Sequence, residues 1–355
     1  PMSRHTVPKP ATLGLADHLA RRPLCGGCGA KLGPGTLSTA LAGLPPPSRA
    51  EVLSGPGDDA AVIALPSGVQ VITTDHLRAF SNDPRLMARL TALHALGDVW
   101  AMGAAPQVAV AQVTLPPLGP ELQARMLAEI MDEASATFRA AGADVVGGHS
   151  TEGAELTIGF TVTGTTQQAI GKGGARAGDA LILTKPLGSG TILAAEMALA
   201  RLPGLMLGEV WSACIAQMSR PQGSAAAILA PVAHAMTDVT GFGLAGHLLE
   251  MIEGSGTAAT VRIADVPLME GVLDLAKAGY GSSLQPANLA ATSWKMTAPD
   301  DPRVNLLSDP QTCGGLLAAV PGEVVERVVK ALQDAGHDAA VIGEVTAGMP
   351  HLTVR

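Results

Sequence analysis

Gly171-Lys172-Gly173-Gly174-Ala175-Arg176-Ala177-Gly178 divides this chain. Glycines cluster there and the apolar periodicity on either side stops, which is how a linker reads. Before it and after it, strand and helix patterns mix in similar proportion. The fold class is therefore α+β, in two domains. The expected limits are a flexible N-terminal segment over 1–50, an N-terminal α+β domain over 51–170 and a C-terminal α+β domain over 176–350. A length of 355 residues fits two domains of ordinary size.

Upstream of the linker, residues 1 to about 22 are polar and irregular, with Pro8 and Pro10, and partial disorder is expected. Gly35 to Leu44 reads as a short helix stopped by Pro45, Pro46 and Pro47. A Gly/Pro loop, Ser54-Gly55-Pro56-Gly57-Asp58-Asp59, feeds a strand through Ile63. Val69 to Thr74 is a β-branched strand ending at Asp75. Residues 85–101 form a helix with Leu86, Leu90 and Leu93 on one face and Asp98 near its end. Val108 to Leu115 is a strand and 119–141 a long helix. Asp144 to Gly148 is a short strand running into Gly147-Gly148-His149-Ser150, and Leu156 to Thr163 alternates as a strand. Downstream, strands are expected at Leu181 to Thr184, 259–264, Leu316 to Val320 and Ala339 to Val345, and helices over 244–253 and 322–336.

Outward from this frame, chemistry gathers in two places. The first is Pro23-Leu24-Cys25-Gly26-Gly27-Cys28-Gly29-Ala30-Lys31. Glycine opens backbone conformations closed to other residues, and a lysine beside a thiol favours the thiolate. The stretch reads as a mobile arm carrying a nucleophile and a cation. Cys25 and Cys28 have no second Cys/His pair at ligand spacing, so structural zinc is not expected. A redox pair stays open, but without a thioredoxin-like context. Cys214 and Cys313 read as inert thiols, and His94 and His247 as packed or surface histidines within helices.

The second place is a set of aspartates: Asp58, Asp59, Asp75, Asp98 and Asp238, at strand ends, in Gly-rich loops or near a helix end. Singly, Asp58 or Asp59 reads as a turn former or cap. Adjacent acids in a glycine loop repel each other unless a cation compensates. Together with Thr237-Asp238-Val239-Thr240-Gly241-Phe242-Gly243 they point to a hard cation such as Mg²⁺, which takes carboxylates, waters and phosphate oxygens. Gly171-Lys172 is no Walker A loop, since the upstream glycine and the following Ser/Thr are missing. Gly241-Phe242-Gly243-Leu244-Ala245-Gly246 matches G-x-G-x-x-G before a helix. Asp238 would oppose a pyrophosphate there without a metal between them, so the loop reads as one for metal and phosphate. Gly147-Gly148-His149-Ser150 supplies amides, a hydroxyl and an imidazole that could line a nucleotide; the alternative is a plain tight turn.

Composition narrows the partners. Net charge is −8 and aromatic residues make up 2%, which argues against nucleic acid: stacking platforms are scarce and the sign is wrong. No apolar run reaches the ~18 residues of a membrane span, and no signal peptide is visible. Four cysteines in a chain this long make no disulfide framework, and a cytoplasmic location fits.

The motifs occur together and in one order. They are Cys28-Gly29-Ala30-Lys31, Gly57 to Val62, Thr73-Thr74-Asp75, Gly97 to Gly103, Gly147 to Ser150, Thr184 to Gly188, Met236 to Leu244 and Asp309 to Leu316. In this the chain resembles the selenophosphate synthetases (selenide, water dikinases) over about residues 23 to 346. The wider aminoimidazole ribonucleotide synthetase superfamily shares the acidic loops but not the arm. The resemblance implies two α+β domains, with N-terminal domains pairing in a homodimer. It also implies conversion of ATP, selenide and water to selenophosphate, AMP and orthophosphate. By motif position, Cys28 and Lys31 match the family's catalytic pair, and Asp59, Asp98 and Asp238 its magnesium ligands. Lys31, Gly57, Asp58, Asp75, Asp98, Gly148, His149 and Ser150 match positions that contact ATP. Two features depart from the family pattern. Ala30 stands where many members have a second Cys. The Cys25-to-Cys28 form, with Pro1 ahead of Met2, is associated with members fused behind a pyridine-nucleotide oxidoreductase domain. Two alternatives stay in view. One is another ATP-dependent kinase of the superfamily. The other is a non-catalytic redox or metal module, which would leave the acidic loops unexplained.

Overall fold

The structure, a computed structural model, describes residues 25–42, 46–54 and 57–355. The irregular segment expected over 1–22, Pro23 and Leu24 of the arm, Gly43 and Leu44 of the first expected helix, Pro45 after it, and Gly55 and Pro56 of the Gly/Pro loop lie outside the described residues. After the arm comes a short exposed helix, α1 (Pro34–Leu41).

Five strands build the N-terminal sheet: β1 (Ala61–Ala64), β2 (Val69–Arg78), β3 (Ala105–Leu115), β4 (Asp144–Glu152) and β5 (Thr157–Thr166). Their order is β1-β2-β5-β3-β4, antiparallel except for the parallel β3–β4 pair. Alternation sets the faces. In β5, Ile158, Phe160 and Val162 are buried while Thr157, Thr161 and Thr163 are half-buried. Two helices, α2 (Pro84–Ala101) and α3 (Pro120–Ala140), pack on the apolar face. Asp83 starts α2: its Oδ1 accepts from the Arg85 and Leu86 amides at 2.9 and 3.2 Å, and Pro84 occupies the first turn. Phe138 of α3 meets Phe160 of β5 edge-on, with ring centroids 5.0 Å apart.

Beyond the linker lie β6 (Asp179–Leu183), α4 (Ser189–Met197), α5 (Leu207–Met218), α6 (Gly223–Leu229), β7 (Ala235–Asp238), α7 (Gly243–Ser255) and β8 (Ala258–Val261). Then come α8 (Val272–Lys277), α9 (Gln285–Thr292), β9 (Met296–Thr297), β10 (Leu316–Pro321), α10 (Val325–Asp334), β11 (Ala340–Thr346) and β12 (Leu352–Val354). The seven-stranded order is β7-β10-β6-β11-β8-β12-β9. Its central strands are apolar on both faces because both are covered. Leu181, Leu183, Leu317 and Ala319 pack with α7, whereas Ile182, Ala318 and Val320 pack with α4, α5, α6 and α10. The second of these clusters continues without a break into the core around α2 and α3. The two halves therefore meet through apolar contact as well as through the linker.

The strands extend past the expected limits in two places that bear on function. β2 runs on to Arg78, so Asp75 lies inside it and not at its end. β4 runs on to Glu152, so Gly147, Gly148, His149 and Ser150 form an exposed edge strand, not a turn. Parallel pairing with β3 holds them extended: Ala111 opposes Gly148 and Gln112 opposes His149. The helix expected over 322–336 is shorter, because residues 322–324 form a 3-10 turn. β9 and β12, of two and three residues, are too short for periodicity to announce.

Truncating Phe138, which is fully buried, removes the main aromatic contact between α3 and the sheet. Phe138→Ala is expected to destabilise the N-terminal half by about 3–5 kcal/mol. Chemical denaturation followed by circular dichroism reads this as a lowered midpoint.

Candidate active site

The arm is docked. The Gly27 amide donates to the Arg78 carbonyl at 2.9 Å, extending the edge of β2, and the Cys28 amide donates to Thr312 Oγ1 at 3.2 Å. Ser283 Oγ donates to the Gly29 carbonyl at 3.3 Å, and Cys25 Sγ accepts from the Ser283 amide at 3.4 Å. The expected mobile arm is thus a clasp with partners on both halves of the chain. Its glycines serve close approach. Gly27 has φ +58°, and a β-carbon there would stand 2.6 Å from Thr312 Oγ1.

Docking buries Cys28 to 3% exposure and places its Sγ 3.1 Å from His94 Nε2. Burial pushes the thiol pKa up; Lys31 works against that shift and Asp75 adds to it. Lys31 Nζ lies 3.9 Å from Asp75 Oδ1 and 5.7 Å from the Phe242 ring centroid. Burial alone would lower the Lys31 pKa, but Asp75, Cys28, Asp98 and Asp238 outweigh it and hold the ammonium above its ordinary value. Cys28, Lys31, Asp75 and His94 line one cleft of about 490 Å³, with Arg78 and Glu155 at its other wall.

Beside this cleft, Asp59, Asp98 and Asp238 each present one oxygen within 4.8 Å of the others. Asp59 comes from the loop before β1, Asp98 from the last turn of α2, and Asp238 from the end of β7. Thr73 Oγ1 donates to Asp98 Oδ2 at 2.5 Å, and Thr237 Oγ1 to Asp59 Oδ1 at 2.9 Å. Gly97 leaves room for Asp238, whose Oδ2 any β-carbon at that position would strike. Asp59 Oδ2 and Asp238 Oδ1 are buried with no hydrogen-bond partner. Three gathered carboxylates, two of them with a buried oxygen left unpaired, fit a hard divalent cation. All three carboxyls are pushed up. Burial is the first cause, and Asp59 reaches about 8 and Asp238 about 6. Mutual repulsion adds to it, with Asp75 acting on Asp98 and Asp238.

The linker enters this cluster. Lys172 Nζ stands 3.1 Å from Asp59 Oδ1 and donates to Glu250 Oε2 at 2.8 Å, while its backbone amide faces both Asp58 oxygens at 3.3 Å. Asp58 is therefore held by the linker backbone. Gly57 is exposed beside it. Gly148, His149 and Ser150 are not brought in. Across the sheet Asp75 pairs with Phe160, Phe160 with Ala111 and Ala111 with Gly148. Three strand spacings, roughly 14 Å, separate them within one chain.

His94, Lys172, Thr312 and Cys313 join the site although the sequence pattern left them out. His94 is no bystander: its Nδ1 accepts from the Cys313 amide at 3.2 Å and its Nε2 faces Cys28. A signal existed, since His94 stands four residues before Asp98 on one helix face. His247 matches its expectation as a packed histidine; its Nε2 accepts from the Thr240 amide at 3.2 Å. The loop from Asp309 to Gly315 is the scaffold for Thr312 and Cys313. Gln311 Oε1 accepts from the Gly188 and Ser189 amides, and Asp309 accepts from Thr191.

Acids with raised folded pKa values favour the protonated native state, so their contribution to stability is lost as pH rises through those values. The metal-free chain should therefore lose thermal stability between about pH 4 and about pH 8, and Asp59→Asn should flatten that slope. Melting curves across this range test the sign; equal slopes for the two proteins would remove Asp59 from the coupled set.

Comparison with known proteins places this architecture. The family AIR synthase related protein, N-terminal domain, matches residues 57–166, and AIR synthase related protein, C-terminal domain, matches 176–354. Among solved structures, tt0281 from Thermus thermophilus superposes with a TM-score of 0.68 at 21% identity, over 92% of this chain and 97% of that one. AaThiL complexed with AMPPCP and TMP gives 0.64 at 19%, over 91% and 93%. At such identities these two establish the fold alone. Curated relatives go further. Selenide, water dikinase of Myxococcus xanthus (strain DK1622) is 37% identical over 341 residues, 93% of this chain and 95% of the relative. The proteins of that name from Burkholderia pseudomallei (strain K96243) and Rhizobium meliloti (strain 1021) are 39% and 36% identical. They align over 93% and 96% of this chain and over 94% and 99% of their own lengths. The chain belongs to the selenide, water dikinase family, on the AIR synthase-like two-domain fold.

Proposed function

We propose that this chain makes selenophosphate from ATP, selenide and water, releasing AMP and orthophosphate. Relatives named for this activity along nearly the full length support the reaction. The observation that carries the site is that Cys28 and Lys31 share one cleft with Asp75, next to the Asp59, Asp98 and Asp238 cluster.

The chemistry follows from charge. A triphosphate brings about four negative charges, and anionic selenide approaching its γ-phosphorus is repelled unless they are offset. Mg²⁺ held by Asp59, Asp98 and Asp238 would supply that neutralisation. Lys31 adds a cation from the arm, on the side facing Cys28. Gly57, Asp58, Asp75, Asp98, Gly148, His149 and Ser150 complete the nucleotide contacts. Cys28 orients HSe⁻ toward the phosphorus; the Se–P bond forms as the bond from the γ-phosphorus to ADP breaks, so selenium keeps its oxidation state. The docked arm keeps water from competing for the phosphoryl group.

A homodimer belongs to the same proposal. The nine-residue edge strand β4 is exposed, and the face of the N-terminal sheet away from α2 and α3 carries Thr74, Gln112 and Thr161. An exposed edge of that length invites a partner. Pairing through it would let Gly148, His149 and Ser150 serve the nucleotide held by the second copy, which their distance from Asp75 forbids within one chain. A cytoplasmic location is also part of the proposal, since a reducing compartment keeps thiols free, as all four cysteines are here. No helix among the described residues is long and apolar enough to cross a membrane.

Phosphorus NMR of ATP with and without selenide tests the reaction. AMP with a selenium-coupled phosphorus signal is expected; ADP accumulating alone would replace the proposal with a simple kinase. Lys31→Ala should cut selenophosphate output by roughly two orders of magnitude or more. Unchanged output would remove the arm's cation from the mechanism.

A further inference from the structure

We infer that His94 is a positioning residue: a neutral imidazole locked in one tautomer, whose Nε2–H is a fixed hydrogen-bond donor to the Cys28 sulfur. Two contacts carry this. The Cys313 amide has a proton to give, and it points at His94 Nδ1 from 3.2 Å. Nδ1 must therefore offer its lone pair, which leaves the ring proton on Nε2. Nε2 in turn lies 3.1 Å from Cys28 Sγ, with Asp75 Oδ2 the next acceptor at 3.6 Å. His94 is 1% exposed, and burial holds its pKa below the usual value, so the ring stays neutral.

The tautomer decides what His94 can do. Its only lone pair is engaged by Cys313, so it cannot take the thiol proton as the histidine of a Cys–His dyad does. That proton leaves through the cleft to water. What remains on sulfur is an anion facing a donor that needs no rearrangement to receive it. A thiol in this position would otherwise ionise poorly, because burial disfavours its charged form. The groups facing Cys28 are His94, Lys31, Asp75, Cys313 and the Thr312 hydroxyl. Those acting on His94 are Asp75, Lys31 and Lys185, the last fully buried and donating to the Cys313 carbonyl at 2.8 Å. Of the donors to the sulfur, His94 is rigid, whereas Lys31 is a flexible side chain two-fifths exposed. Positioning therefore rests on His94.

The backbone that dictates the tautomer is itself held. Cys313 has φ +51°, an unusual conformation for a residue with a side chain, and its Sγ donates to the Leu90 carbonyl at 3.0 Å. Leu90 lies one turn before His94 on α2. The same helix turn thus fixes the loop that fixes the ring.

The inference rests on Cys28 as the reacting thiol, and its tests need neither ATP nor selenide. Long-range proton–nitrogen NMR of the unmodified chain reads the ring directly, with His94→Gln used for assignment. A neutral ring protonated at Nε2 is expected; protonation at Nδ1, or an imidazolium, overturns the inference. Thiolate ultraviolet absorbance against pH, with Cys28→Ser as the blank, reads the consequence. Gln carries an amide near the Nε2 position, and Phe fills the space without a donor. His94→Phe should lower the thiolate population at a given pH by about tenfold or more, and His94→Gln should restore most of it. Equal midpoints for the unmodified chain and His94→Phe, or a Gln variant shifted as far as Phe, would overturn it. If His94→Phe does not fold, the tautomer still decides. Loss of selenophosphate synthesis in Cys28→Ser is a separate measurement; its absence would count against Cys28 as the reacting thiol while leaving the tautomer as found.

Discussion

The molecule is organised against a repulsion. Asp59, Asp98 and Asp238 bring oxygens within 4.8 Å of one another, and Asp75 adds to the potential on Asp98 and Asp238. At an effective dielectric near 20, each ionised pair at that distance costs about 3–4 kcal/mol. A whole domain is stable by only about 5–15 kcal/mol. Such a cluster cannot stand unopposed, and the chain opposes it with two lysines from two different segments. Lys172 reaches in from the linker to Asp59, and Lys31 from the arm toward Asp75. The segments that look least structured in the sequence therefore carry the charges that the acidic cluster requires.

This explains why arm, linker and both sheets form one unit. Asp98 belongs to α2 on the N-terminal sheet, whereas Asp238 ends β7 of the C-terminal sheet. The halves must meet for the cluster to exist, and the apolar cluster that runs from α2 and α3 into α4, α5 and α6 holds them together. The arm closes across that junction. Gly27 pairs with Arg78 on one half, and Cys28 hydrogen-bonds Thr312 on the other. A cleft so built couples docking of the arm to the relative placement of the halves. That is the arrangement expected where a reaction must exclude water and still admit a charged substrate.

Much of this was legible in the sequence, unevenly. The glycine-rich linker, the alternation in β5 and the apolar run of β10 announced two α+β halves, because burial on one or both faces leaves a period in the residues. The Cys28/Lys31 arm and the aspartates could be picked out because thiols, lysines and acids in glycine loops have few structural uses. His94 could not be separated from a packed histidine. Its role depends on a backbone amide at Cys313, more than 200 residues away, and no local pattern encodes that. Lys172 was visible but judged against the wrong template, a phosphate loop, when its partner is the acid cluster. For Gly147 to Ser150 the sequence left a nucleotide-lining segment and a tight turn both open; pairing with β3 keeps the stretch extended, which no local pattern announces.

The two thiols of the arm show how far spacing alone can mislead. Cys25 and Cys28 have the separation of a redox pair, but the fold gives them different partners. Cys25 accepts from the Ser283 amide and helps to moor the arm, while Cys28 turns its sulfur to His94 within the cleft it shares with Lys31 and Asp75. All four cysteines are free. With Ala30 next to Lys31, Cys28 is the only sulfur among the arm residues that line that cleft. Stabilising a negative charge on that sulfur against burial then falls to its surroundings: Lys31 as charge, His94 as fixed donor, and a Thr312 hydroxyl that orients the backbone. A lone thiol can serve in a buried site when its neighbours are set in place before the substrate arrives, and the Asp309-to-Gly315 loop does that setting.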